Sequence, residues 1–163
     1  MTNTQRAVFL DYTSLDLGDL DLDPLRRAFG DVQLCADTTP ANVIERLQGA
    51  RVAISNKVVL NAQTLAACPD LKLILVAATG TNNVDLEAAR AQGITVANCQ
   101  GYGTPSVAQH TLGLLLALAT RLVDYNKAVA DGQWQQSKQF CLLDFPIVEL
   151  EGKTLGLFGH GEL

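Results

Sequence analysis

The chain has 163 residues, with 12 Lys and Arg against 17 Asp and Glu for a formal charge of −5, and 48% hydrophobic content at a mean hydropathy of +0.15. That is enough apolar material for one well-buried domain, or one domain and part of a second, and it excludes the composition of a disordered segment. With no Lys/Arg stripe, nucleic acid and anionic membrane are excluded as expected partners. The apolar stretch before Asp11 is too short for a signal-peptide core, and the most apolar run, Leu112 to Ala119, falls well short of the ~20 residues that span a bilayer. A cytoplasmic protein is expected. Cys35, Cys68, Cys99 and Cys141 form no C-x-x-C, and the histidines are His110 and His160 alone, so no metal site has ligand spacing to use and the cysteines read as free thiols.

Through the first hundred residues, apolar β-rich runs alternate with helix-period segments: "AVFLDY", "DPLRRAFG", "VQLCA", "PANVIERLQG", "VAISN", "NAQTLAACP", "LKLILVAA", "VDLEAARAQG" and "ITVANC". This βαβαβαβαβ order predicts a doubly wound parallel sheet, flavodoxin-like in architecture, and the continuous apolar strands require cover on both faces. Gly49 and Gly93 follow helical segments where a left-handed residue ends a helix. Residues 1–98 read as one finished domain, 99–104 as a hinge ("QGYGTPS" carries two glycines and a proline), and 105–163 as the start of a second domain. There a long helix from Pro105 carries Leu112, Leu115, Leu116 and Ala119 on one side and runs toward Trp134. An irregular arm, Gln135 to Leu150, comes next. "KTLGLF" (Lys153 to Phe158) reads as a strand that delivers the chain to Gly159.

Three stretches can carry chemistry. Gly159 and Gly161 have the spacing that opens G-x-G-x-x-G, in which glycines let backbone approach a pyrophosphate at a helix N-terminus; His160 is the variable residue between them. "ATGTNNVDL" (Ala78 to Leu86) follows a buried strand, at the carboxyl edge where open α/β sheets bind ligands. The N–H groups around Thr79 to Thr81 can hold a carboxylate there, and Asn83 or Asp85 can cap the following helix. Local chemistry alone favours a capped βα turn. "SNKVV" (Ser55 to Val59) leaves another strand at the same edge, with Lys57 either a binding cation or a solvated side chain. His110 reads as a packed side chain on the long helix, and Asp11 as a turn or cap residue.

Together, "SNK", "ATGTNNVDLEAARAQGITVANCQGYGTPSVAQHTLGLLLALA" and "LEGKTLGLFGHGEL" resemble the D-isomer-specific 2-hydroxyacid dehydrogenases, particularly their glycerate dehydrogenase (hydroxypyruvate reductase) branch. The resemblance implies a substrate-binding first domain, a hinge, and a Rossmann domain that binds NAD or NADP and is cut short at Leu163. It implies that Thr79 and Gly80 present N–H groups to the substrate carboxylate, and that the Asn56–Lys57 loop closes over the same site. By the same resemblance Val107 lines the nicotinamide pocket and Gly159 and Gly161 meet the pyrophosphate. Gln109 stands where many relatives carry glutamate. The family's arginine, glutamate and histidine are expected beyond Leu163, so no catalytic residue is assigned and this chain by itself is expected to be inactive.

The expected activity is the interconversion of a small 2-keto acid, hydroxypyruvate or glyoxylate, and its D-2-hydroxy acid, glycerate or glycolate. A homodimer through the helix at 105–123 is implied. The alternative is a non-enzymatic, NAD-regulated binding protein of the same superfamily, akin to a corepressor.

Overall fold

The computed structural model describes residues 5–159 and 161; His160 lies outside them. It divides into two compact units, the first ending at Gln100 and the second opening at Gly101.

The first unit contains five parallel strands, β1 (Gln5–Phe9), β2 (Gly30–Leu34), β3 (Val52–Ser55), β4 (Leu73–Val76) and β5 (Thr95–Asn98), in the order β2-β1-β3-β4-β5. Helices α1 (Asp23–Phe29), α2 (Val43–Leu47), α3 (Ala62–Ala66) and α4 (Leu86–Ala91) connect them. This is the flavodoxin-like order expected from the alternation of strands and helices. All strands run the same way, but the order in which they are added reverses at β1: β2 is laid on one side of it and β3 to β5 on the other, which places a switch point between β1 and β3.

Packing differs between the two sheet faces. On one, Val8, Leu10, Ala53, Ile74 and Val76 meet Val43 and Leu47 of α2, Leu65 of α3 and Ala89 of α4 in the larger core. On the other, Ala7, Phe9, Val52 and Ile54 pack against Leu25 and Phe29 of α1, with Leu73 and Leu75 of β4 only partly covered. The central strand β3 is buried at every position, whereas β5, at the edge, alternates between half-buried and exposed. Helix ends follow local chemistry. The Asn61 side chain accepts from the Thr64 N–H and that of Asp85 from the Ala88 N–H, each at 2.9 Å. Of the two capping candidates, Asp85 caps α4, and Asn83 does something else. Gly49 and Gly93 hold φ of 67° and 68° just past α2 and α4.

The second unit corrects two expectations. The helix from Pro105 does not run on to Trp134: it is α5 (Thr104–Ala119), α6 (Leu122–Ala130) and α7 (Gln133–Gln136), with a 63° bend between α5 and α6. Arg121 turns the chain at φ 52°, a left-handed conformation uncommon outside glycine. The freed Ala119 carbonyl accepts the Val148 N–H at 2.8 Å, so the arm returns to cap the break. Farther along the arm, the Tyr125 hydroxyl donates to the Phe145 carbonyl at 2.7 Å and accepts the Phe145 N–H at 3.3 Å, with the two rings edge to face at 5.1 Å. The second correction is "KTLGLF", which is not a strand. A strand requires a ladder partner for its N–H and C=O groups, and the described residues of this unit include no neighbouring strand. Leu155, Leu157 and Phe158 are exposed. Among the described residues no single helix is long and apolar enough to cross a membrane.

Candidate functional site

Parallel pairing aligns the carboxyl ends of β1, β3, β4 and β5 along one edge of the first unit, and the loops leaving them carry most of the candidate residues. Asn56 and Lys57 follow β3 directly. Thr79 and Gly80 follow β4, its neighbour in the sheet. The four therefore share one sheet edge. Asn56 is buried, while Lys57, Thr79 and Gly80 are exposed.

The loop after β4 is held from beneath. The Thr79 carbonyl accepts from the Asn98 side chain at 2.6 Å, and the Ala78 carbonyl from the Cys99 N–H at 3.1 Å. At its far end the Leu60 N–H donates to the Asn83 carbonyl at 2.7 Å, which ties this loop to the one after β3. A Cβ built on Gly80 would sit 3.3 Å from Asn82 Oδ1, so that side chain would have to give by a few tenths of an ångström. The backbone N–H groups around Gly80 are the candidates on this edge for holding a small anion.

The loop after β3 is the more firmly built. The buried Asp11 carboxylate, at the end of β1, accepts the Asn56 N–H at 2.9 Å through one oxygen and the Lys57 N–H at 2.6 Å through the other. The Asn56 side chain donates to Ser14 Oγ at 3.0 Å. On the opposite side the Val58 carbonyl accepts from the Ser55 hydroxyl at 3.3 Å and from the Asn83 side chain at 3.1 Å. Asp11, Ser14 and Asn83 are the residues that sequence reasoning missed. In sequence Asp11 reads as a turn or cap residue, because the groups it binds lie 45 and 46 positions away. The available clue was an Asp directly after the first strand of a parallel sheet, where carboxyl-edge loops converge.

Val107, Gly159 and Gly161 belong to the second unit. Val107 lies half exposed on α5, at 43%. Gly159 has φ 97°, and a Cβ on either glycine would meet only open space. The conformation allows close backbone approach, but a dinucleotide cradle also needs a strand and a helix N-terminus around it. Among the described residues neither is formed at this point. No metal-binding cluster occurs among the described residues.

Comparison with known proteins gives the family. The description "D-isomer specific 2-hydroxyacid dehydrogenase, catalytic domain" matches residues 8–155. A glycerate dehydrogenase from Methylorubrum extorquens is 46% identical over 98% of this chain and 50% of its own length. A hydroxypyruvate reductase from Blautia hydrogenotrophica is 35% identical over 97% of this chain and 50% of its own. A solved structure from Thermus thermophilus superposes with a TM-score of 0.72 at 30% identity, covering 89% of this chain and 45% of that one. The chain spans about half the length of the curated relatives it matches. With the match extending from β1 through the arm beyond α7, the chain belongs to the D-isomer specific 2-hydroxyacid dehydrogenase family.

Proposed function

We propose that this protein, taken at the length of its relatives, interconverts a small 2-keto acid such as hydroxypyruvate or glyoxylate and its D-2-hydroxy acid, with NAD or NADP as cofactor. The observation that carries this reading is the convergence of the Asn56–Lys57 and Thr79–Gly80 loops on one sheet edge, in a chain 46% identical to a glycerate dehydrogenase. Residues up to about 98 form the substrate-binding domain in this reading, 99–104 the hinge, and 105–163 the opening of the nucleotide-binding domain. Thr79 and Gly80 receive the substrate carboxylate through backbone N–H groups, and the Lys57 ammonium adds a cation above it. Val107, Gly159 and Gly161 face the cofactor once the rest of its domain surrounds them. None of these residues is assigned proton transfer or the orientation of the keto group.

A homodimer through 105–123 is part of the same proposal. Its support is the exposure of Leu112, Leu114, Leu116 and Leu118, which leaves apolar surface on two sides of α5. The four free cysteines accord with a reducing cytoplasm.

The test is loss of NADH or NADPH absorbance on addition of hydroxypyruvate or glyoxylate to the full-length protein. Turnover is expected, and Gly80→Val should raise KM for the keto acid strongly while KM for the cofactor stays nearly unchanged. Cofactor binding without turnover of any 2-keto acid would replace the enzyme with the binding-protein alternative.

A further inference from the structure

Asp11 is only 7% exposed, and its partners are two successive backbone amides. The ion pairs formed among the described residues, Arg26–Asp23 and Arg121–Asp124, do not involve it. Its charge is therefore met by N–H dipoles. Successive N–H groups aimed at one point form a concave anion site, and hydrogen bonds to an ionised carboxylate are shorter and stronger than neutral ones. The 2.6 and 2.9 Å distances to Lys57 and Asn56 have that character.

A 2-keto acid is itself a carboxylate. Left empty, the Asn56 and Lys57 amides would be a second anion site on the edge where Thr79 and Gly80 stand. We propose that Asp11 is a positioning residue for the substrate: its carboxylate fills the amide pair after β3, fixes that loop, and leaves the N–H groups of the loop after β4 as the open anion site. The proposal rests on the functional reading above. Ser14 and Asn83 bracket the same loop through Asn56 and Val58, so the two loops are held in one register.

The experiment compares the full-length protein with Asp11→Asn and Asp11→Ala, measuring KM for hydroxypyruvate, KM for NADH, and amide hydrogen exchange at residues 56 and 57. Asn is isosteric but offers one acceptor oxygen, so its NH2 group faces an N–H and the clamp opens. Both variants should raise KM for hydroxypyruvate at least about tenfold, the scale of a lost charged hydrogen bond, with KM for NADH within about twofold. Exchange at 56 and 57 should accelerate. Added formate should restore part of the loss in Asp11→Ala, where the amide pair is vacated, and not in Asp11→Asn, where the carboxamide still occupies it. If Asp11→Ala does not fold, Asp11→Asn decides the matter by the KM split and the exchange rates. Unchanged exchange and unchanged KM in Asp11→Asn would overturn the proposal, as would a parallel loss in both KM values and kcat. If the unmodified protein reduces no 2-keto acid, the functional reading fails and the substrate role falls with it. Exchange at 56 and 57 separates that result from a failure of Asp11 to hold the loop.

Discussion

Up to Gln100, residues such as Leu10, Leu47, Leu65 and Ile74 are sealed from solvent, whereas from Gly101 onward Ala128 is the one apolar residue buried among those described. The difference does not come from a shortage of apolar side chains. α5 alone carries Leu112, Leu114, Leu115, Leu116 and Leu118, and none of them is buried. In the first unit every strand has a ladder neighbour and a helix packed on at least one face, so the inward apolar residues of the strands have a second layer to enter. The second unit is a chain of three helices with one returning arm, and a single layer cannot bury the side of a helix that faces away from it. Burial is thus decided by what stands opposite a residue, and among the described residues of this unit no second layer covers the leucines of α5.

The largest effect that can break this comparison comes from matched truncations. Ile74→Ala or Leu10→Ala in this chain should cost about 2–5 kcal/mol in urea or guanidinium unfolding, because each leaves a cavity in a closed core. Leu118→Ala, at a position 76% exposed, should fall within about 0.5 kcal/mol of the parent. Equal losses at the two kinds of site would show that α5 is as well packed as the sheet.

A middle-sized effect sharpens the account of the second unit. Its order outside the helices depends on the Tyr125 hydroxyl, which bonds both the carbonyl and the N–H of Phe145. Tyr125→Phe keeps the ring contact and removes those bonds, which should cost about 1 kcal/mol. Limited proteolysis should then cut the arm between Ser137 and Val148 faster. Unchanged cleavage would mean that the ring stacking and the Val148–Ala119 bond hold the arm without the hydroxyl.

The smallest effect lies on the exposed rim of the first unit. Backbone N–H groups of Leu20, Gly18 and Asp19 hold the Asp16 carboxyl below its ordinary value of 3.8, the Leu20 contact being the largest cause. Because the folded value is the lower one, the stabilisation is fully present above the unfolded value and is lost as pH falls through the folded one. As pH falls from about 5 through the unfolded value and on below it, the gap in Tm between the parent and Asp16→Asn should shrink. A gap independent of pH would remove the carboxylate as its source.

What the sequence disclosed follows from how local each cause is. The five strands of the first unit were legible because apolar runs are contiguous patterns, and the α4 cap was narrowed to Asn83 or Asp85, with Asp85 three residues before the N–H it accepts. The carboxyl-edge location of Asn56, Lys57, Thr79 and Gly80 was legible too, since chain order in a parallel sheet dictates it. "KTLGLF" misled because a strand exists only with a partner, and composition carries no information about the partner. The break at Thr120–Arg121 carries no glycine or proline; the return of Val148 to the Ala119 carbonyl, 29 positions on, accompanies it. The Asp11 clamp was hidden for the same reason.

The place of β1 in the sheet has a consequence for synthesis. It pairs with β2 on one side and β3 on the other, so it is the seam joining the sheet's two halves. As the chain leaves the ribosome, β1 and β2 can meet once about the first forty residues are free, but the other edge of β1 stays open until β3 emerges. During that interval Ala7, Val8 and Phe9 have only half their final surroundings, and an open strand edge is a template for another chain. A chaperone that shields this open edge of β1 before Ser55 is released should therefore reduce mispairing of the nascent chain.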